Sequence, residues 1–555
     1  LGRTNVRQPV ALQVDANRHV HLVWVDEGRP SRLRYAHLDE QAQVLFNDQT
    51  VIDLPSPRKP QLLVDRENQV HLAFLSRSGG TQRLYHALVS PDGRLSAPRL
   101  ISGEGRNVDS FQTFLAPDGR VAFVWAGELA DGTTGIAHAL LPVGDAAVQA
   151  VTLVQPGIDP YIVVDDTGTV HLTWMVERAL TSRDIYYAEL KGASPDLELV
   201  PAAGLKLTDF VFPEGGTYYG PVLGVDTQNV YVLWSVQHLG GGLTPTSAFS
   251  FYVTFELGSH GQGGASAADS YTIGLPTEAR PSYEDYASPY GLAKLARLPE
   301  QVIGPSDFAN TPATVSSQRD ELPVQLSLLT HSRSESQIRL ATVILSKGEL
   351  VGYQLASHSG TASLTPSIVA GPAGLHSAWI DTAGFKEFTV YYASTAPEAR
   401  RWLDRTSTSD MVMGAANLVF GVFSGLGLLP IAMIWTFPAL VWVVLFFIAT
   451  GQEEMTRKPA KIGFVIAVVI YVGMKILLLP GLFAGTPFLH RVPAGWSTVL
   501  GLTVPTLILL VALAAVYIYG RRAERATIFK AYLVFALTDV VLTLVLYSPG
   551  FFGSA

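Results

Sequence analysis

The chain has no cysteine among its 555 residues. That excludes disulfides, thiolate metal sites and cysteine nucleophiles in one step. It leaves the compartment open, because a cysteine-free chain suits either side of a membrane. Charge is sparse and nearly balanced: 39 lysines and arginines stand against 47 aspartates and glutamates, a formal net charge of −8. Such a chain lacks the basic footprint of a nucleic-acid partner. Nucleophile–base, metal-ligand and phosphate-loop motifs are missing too, so no catalytic residue, metal or cofactor is expected. Long apolar runs are absent up to about residue 405, where apolar and polar residues alternate. From Met411 onward the chain is nearly continuously apolar, broken by short basic loops. A soluble half is therefore followed by a membrane half.

What the soluble half does contain is one phrase, used again and again. It reads P-x-L-x-V-D, a turn, V-H-L-x-W, a polar gap, then L-x-Y-A. Pro160 to Leu190 carries it most clearly. Aligned on its histidine, the copies fall at His21, His71, Ala122, His171, Tyr231, Gln325 and His376. Three residues further on stand Trp24, Phe74, Trp125, Trp174, Trp234, Leu328 and Trp379. The first strand closes on Asp15, Asp65, Asp165 and Asp226. A period of roughly fifty residues, with alternating strands and Asp/Gly turns, is that of a four-stranded propeller blade. Seven copies predict a seven-bladed β-propeller over residues 1–397, because one blade alone cannot bury both of its faces. Leu1 to Val6 falls where other copies have their outermost strand, and is expected to complete the last blade.

The pattern resembles sialidase-type and related secreted propellers. That resemblance implies a ring fold and glycan binding or processing around an arginine cluster and a Tyr/Glu pair. The S-x-D-x-G-x-T-W box of that family is not matched: Asp166-Thr167-Gly168 is followed by Thr169-Val170-His171-Leu172-Thr173-Trp174, which is too long. No catalytic residue is carried over. The repeated His21, His71, His171 and His376 invite a metal reading. The same position accepts Ala122, Tyr231 and Gln325, which points instead to a side chain that fills space or bonds backbone.

Between the fifth and sixth copies, about 258–310, the register breaks. This insertion is dense in tyrosine and proline and includes Tyr283, Tyr286 and Tyr290. Tyrosine buries area at low entropy cost, so these three are candidate interface residues; the alternative is an excursion packed on its own propeller. A second loop, Gly240 to Pro245, lies within the fifth blade.

Residues 398–410 read as a linker to the membrane half, 411–555. Spans are expected at about 430–450, 462–482, 498–519 and 528–547. The stretch 411–427 is shorter and glycine-rich, and either spans or re-enters. Arg457, Lys458 and Lys461 in one loop, and Arg521, Arg522, Arg525 and Lys530 in another, place both loops in the cytoplasm. If 411–427 spans, the propeller is cytoplasmic, beside Arg400, Arg401 and Arg405; if not, it is extracytoplasmic. The chain opens on Leu1, which suits a cleaved leader, and the expectation drawn is an extracytoplasmic propeller on a multi-pass cell-membrane protein. Lys475 and Asp539 lie inside spans at depths that differ by only a few ångströms at about 1.5 Å per residue, so an ion pair is feasible. Trp435 and Trp442 are candidate contacts for partner helices. The function expected is a non-enzymatic scaffold held at the bilayer, an accessory subunit among other membrane proteins. The alternatives are a glycan-directed propeller and a small transporter using Lys475 and Asp539.

Overall fold

A computed structural model describes residues 1–552 except 29–30, 51–53, 104–105, 145, 192–196, 239–246, 260–269, 275–280, 298–311, 316–318, 333–334, 358–360, 385, 406–407, 480–495 and 524. Two compact units result, Leu1–Arg405 and Thr406–Ala555.

The first unit is a seven-bladed β-propeller: seven antiparallel sheets, six of them four-stranded. In blade one the second strand, Val20–Val25, is buried at every position, because neighbouring blades cover both of its faces. The fourth strand, Val44–Thr50, is largely exposed. First strands of successive blades pack on one another and so form the inner ring. The repeat proline has a role in this ring. The ladder between first and second strands slips between Arg58 and Gln61, Ile158 and Tyr161, and Leu364 and Ser367. Pro60, Pro160 and Pro366 sit in those slips, where a residue without an N–H interrupts the ladder at least cost.

The ring closes by pairing the two ends of the unit. Gly2–Thr4 is the outer strand of the last blade, with Gly2 opposite Val390 and Thr4 opposite Phe388. The insertion is partly strand. Tyr271–Thr272 completes blade five. Tyr283–Asp285 and Lys294–Ala296 form a hairpin that extends blade six to six strands. The Gly240 to Pro245 loop lies outside the described residues, as do 260–269, 275–280 and 298–311 of the insertion.

The stretch read as a linker is mostly helical. Pro397–Leu403 forms α1, whose Ala399 is buried against Ala42 and Ala396. The next helix, α2, runs Thr408–Leu426. In the second unit follow α3 (Leu429–Thr450), α4 (Lys458–Leu478), α5 (Trp496–Arg522) and α6 (Ile528–Phe552). Four of these, α3 to α6, are long and apolar enough to cross a membrane. The last helix, α6, packs on each of the other four. Its core partners include Ala439 of α3, Tyr471 of α4 and Ala512 of α5, all fully buried. Large apolar side chains such as Ile434, Phe437 and Leu507 point outward instead, as lipid-facing residues do.

Candidate functional site

The repeat's Asp, His and Tyr meet. In blade four, His171 Nε2 lies 3.2 Å from Asp165 Oδ2, and His171 Nδ1 lies 2.7 Å from the Tyr187 hydroxyl. These residues come from the end of the first strand, the second strand and the third. Strand register brings them together, because Tyr187 pairs with Thr173, two residues past the histidine and on the same face. The tautomer with a proton on Nε2 satisfies every group: Nε2–H donates to the carboxylate and the tyrosine hydroxyl donates to Nδ1. The other carboxylate oxygen, Oδ1, accepts the backbone N–H of Thr167 and of Thr169 and so fastens the turn.

The unit recurs with variations. Blade one has Asp15, His21 and Tyr35, with the Tyr35 hydroxyl 2.7 Å from Nδ1 but Asp15 at 3.5 Å, too far for a full hydrogen bond. In blade two His86 replaces the tyrosine, 3.0 Å from His71. In blade five Tyr231 takes the histidine position and donates directly to Asp226 at 2.7 Å. In blade seven His376 keeps its tyrosine, Tyr392, at 2.7 Å. Blade three has lost most of it. Ala122 stands in the histidine position, and buried His138, in the tyrosine position, has no hydrogen-bond partner on either ring nitrogen. The expectation that these histidines fill space or bond backbone is thus corrected: where they recur, they bond side chains. The tryptophans of the repeat pack beside them. Trp174, Trp234 and Trp379 stack on Tyr186, Phe251 and Tyr391 of the third strand at 5.6, 5.6 and 5.9 Å. Trp24 donates to the Arg3 carbonyl, and Trp125 is buried in the blade-three core.

One end of this arrangement opens to solvent. A cleft of about 650 Å³ lies between blades one and two, lined by His19, His21, His37, Asn68 and Arg94 among others. His37 Nε2 is 3.1 Å from His19 Nδ1, and the His37 ring stacks on His21 at 4.7 Å. Burial, and then the neighbouring His37, lower the pKa of His21 to about 4. Burial and His19 also push His37 below its ordinary value. Both rings are therefore neutral near pH 7. Arg94 is paired with Asp92. The buried Asp15 carboxylate lines the recess as well and accepts from Asn68 Nδ2 at 3.1 Å. Among the described residues no three metal-ligating side chains converge on one point. Sequence reasoning missed His19, His37 and Asn68. The available signal was the spacing: His19 and His21, like Tyr35 and His37, are two apart and so share a strand face.

At the start of the inner strands, the residues before the repeat proline include Lys59, Asp159 and Thr365, with φ of 46°, 48° and 48°. Lys59 Nζ donates to the Asp109 carbonyl at 2.9 Å, and the Tyr218 hydroxyl donates to Asp159 at 3.2 Å. Burial raises the Asp159 carboxyl above its ordinary pKa. Arg183 lies over the Tyr218 ring at 5.2 Å, but its Nη1 is spent on the carbonyls of Ala179 and Ser182.

In the helical unit, Lys475 and Asp539 come together inside the bundle. Lys475 Nζ donates to Asp539 Oδ1 at 2.5 Å and to Thr543 Oγ1 at 2.7 Å. The Tyr471 hydroxyl donates to the same carboxylate oxygen at 2.7 Å, and Trp435 Nε1 donates to Tyr471 at 3.3 Å. Both charges are at most 4% exposed. The network joins α3, α4 and α6.

Most aromatic residues singled out as interface candidates point inward. Tyr290 is 3% exposed, with its hydroxyl bonded to the Glu321 carbonyl. Tyr286 donates to the Glu321 carboxylate at 2.5 Å. Trp435 is buried, and Trp442 donates to the Gly463 carbonyl at 3.0 Å. Tyr283 alone among them is exposed, at 36%, on the outermost strand of blade six.

No family model and no curated protein matches the chain. Among solved structures, a polysaccharide lyase of family PL25, an ulvan lyase, matches 71% of this chain and 96% of its own at 10% identity, with a TM-score of 0.45. The BP39L lectin from Burkholderia pseudomallei matches 70% of this chain and 97% of its own, at 12% identity and a TM-score of 0.41. A Hadza microbial sialidase matches 66% and 74%, at 8% identity and a TM-score of 0.35. These likenesses concern the ring architecture.

Proposed function

We propose that the chain is a membrane-anchored recognition module: a rigid, non-enzymatic propeller that docks a protein partner and is held at the bilayer by its helices. The observation that carries this reading is the hairpin added to blade six. Its outer strand, Tyr283–Asp285, is exposed at all three residues and ends the sheet. An exposed sheet edge is a template for a partner's strand. The locked blades support the reading as well, since their recurrent polar groups are engaged inside the blade and serve the frame. A photo-crosslinker placed at Tyr283 in native membranes should give one discrete protein adduct. A site that gives none, in protein still folded, removes the edge from the account.

The helical unit bears on sidedness. As one continuous helix of 19 residues, α2 is about 28 Å long, close to the thickness of a hydrocarbon core of about 30 Å. It packs along α6. This supports five crossings and a propeller on the side of the basic loops, in place of the extracytoplasmic propeller expected from sequence. Since the chain has no native cysteine, Glu67→Cys in the propeller and Glu453→Cys in a basic loop are each unique labels. Both should react with an impermeant maleimide from the same side.

A second reading is favoured by the cleft between blades one and two. Its lining of imidazoles, amides and the Asp15 carboxylate offers the hydrogen bonds that a polyhydroxyl ligand such as a glycan would use. His37→Ala should abolish such binding if this reading holds.

A further inference from the structure

The segment between the two units has a shape and a composition that the docking reading does not use. Helix α1 is mounted firmly on the propeller. The Thr395 backbone N–H donates to the Leu375 carbonyl at 2.9 Å, and its hydroxyl accepts from the Leu375 N–H at 2.8 Å. Ala396 N–H is held by Ser394 Oγ at 3.0 Å, and Ala399 is 1% exposed. One turn beyond Ala399, on the same helical face, stand Trp402 and Leu403. They are 42% and 38% exposed. A tryptophan and a leucine side by side and partly open to water are costly. Around them are three arginines. Arg405 lies over the Trp402 ring at 5.0 Å, and Arg400 and Arg401 belong to the last turn of α1. Thr408, where α2 begins, is three residues past Arg405.

Trp and Leu flanked by Arg, next to a membrane-crossing unit, is the composition of a helix that lies in the headgroup layer. We infer that α1 is a second membrane contact: Trp402 and Leu403 enter the bilayer interface, and Arg400, Arg401 and Arg405 bind lipid phosphates. Because α1 is fixed to the propeller, this gives the propeller unit a lipid contact of its own. The occupant is the lipid interface. Continuity of the chain into the membrane helices and the charge complementarity of arginine and phosphate favour this occupant. Glu398 and Asp404 lie on the same segment, and Arg400 bonds Asp404 at 3.3 Å, so the cationic excess is modest and the apolar pair does most of the anchoring.

This rests on the chain being membrane-anchored, but not on the blade-six docking reading; the two fail separately. The test uses the full chain in nanodiscs of phosphatidylcholine with phosphatidylglycerol. Leu403→Cys gives a single spin-label site, since no native cysteine competes. The label should be accessible to oxygen and protected from a water-soluble nickel chelate, the signature of headgroup depth. Replacing the three arginines by glutamine should weaken retention of phosphatidylglycerol over phosphatidylcholine by about fivefold per cation removed. A label freely reached by the nickel chelate overturns the inference. So does a label shielded from both reagents, which means protein covers it. An unchanged lipid preference in the arginine variant overturns the phosphate part. A label at Ala130, in the exposed turn between the second and third strands of blade three, at the end of the strands opposite to α1, serves as the water-exposed control.

Discussion

Asp165 holds His171 with one carboxylate oxygen, at 3.2 Å, and the Thr167–Thr169 turn with the other. A single side chain thus couples the turn between first and second strands to a hydrogen-bonded chain that reaches the third. Asp165→Ala should remove both functions and cost about 1–3 kcal/mol, the penalty for leaving buried partners unsatisfied. Asp165→Asn should cost less, because Oδ1 still accepts the turn amides and the imidazole can switch tautomer. Denaturant titration of the two variants in detergent checks the order; equal losses would contradict it.

Blade three is the incomplete copy, and it can be repaired. His138 is 1% exposed and has no hydrogen-bond partner, while Ala122 occupies the place where other blades carry a histidine. Ala122→His should supply a partner to His138, as His71 does for His86 in blade two. The expected gain is about 1 kcal/mol, the net worth of one hydrogen bond, read as a higher melting temperature. A loss of several degrees would show that the blade has closed around alanine.

The buried histidines give the propeller a pH dependence. Burial lowers the pKa of His21, His138 and His376 to about 4, from an ordinary value of 6.5. Between these values the unfolded chain binds more protons than the folded one, so stability rises with pH. It is fully present above about pH 6.5 and is lost as pH falls toward 4. Unfolding midpoints measured from pH 7 to pH 4.5 should decline over that window, and His138→Phe should flatten the decline. A midpoint independent of pH would mean that these rings are hydrated.

The Lys475–Asp539 pair is a structural tie between α4 and α6. Removing one partner, as in Lys475→Met, leaves a charge without its counter-ion at the bundle core and should cost about 3–5 kcal/mol. Replacing both, with Asp539→Leu added, should recover most of that loss. Thermal unfolding of the single and double variants closes the cycle. Partner docking should survive in the double variant; a docking defect there, in folded protein, would assign the pair a role beyond packing.

Much of this was legible in the sequence, for reasons tied to periodicity. The copies of Asp, His and Tyr recur in register, so the ring and its blade count follow from spacing. That they bond one another does not, because Asp165, His171 and Tyr187 meet only through the pairing of Thr173 with Tyr187 across two strands. Lys475 and Asp539 were legible as a pair because depth in a helix can be counted along the chain. The burial of Tyr290 was not, since it depends on Glu321, 31 residues away and across a broken register. The cleft was missed because His37 belongs to the third strand and reaches His19 only once the hairpin has folded. The division into two units falls within the 398–410 segment, but its helix was not legible, because Pro397 to Leu403 is short and charged and is held by Ala42 of blade one.

The most direct measurement is gentle detergent extraction from native membranes, followed by native mass spectrometry of what travels with the chain. The account predicts a defined assembly with at least one other protein, and loss of that protein when Tyr283–Asp285 is replaced by a proline-containing segment that cannot accept a strand. A chain that emerges alone, folded and with the edge intact, would contradict it.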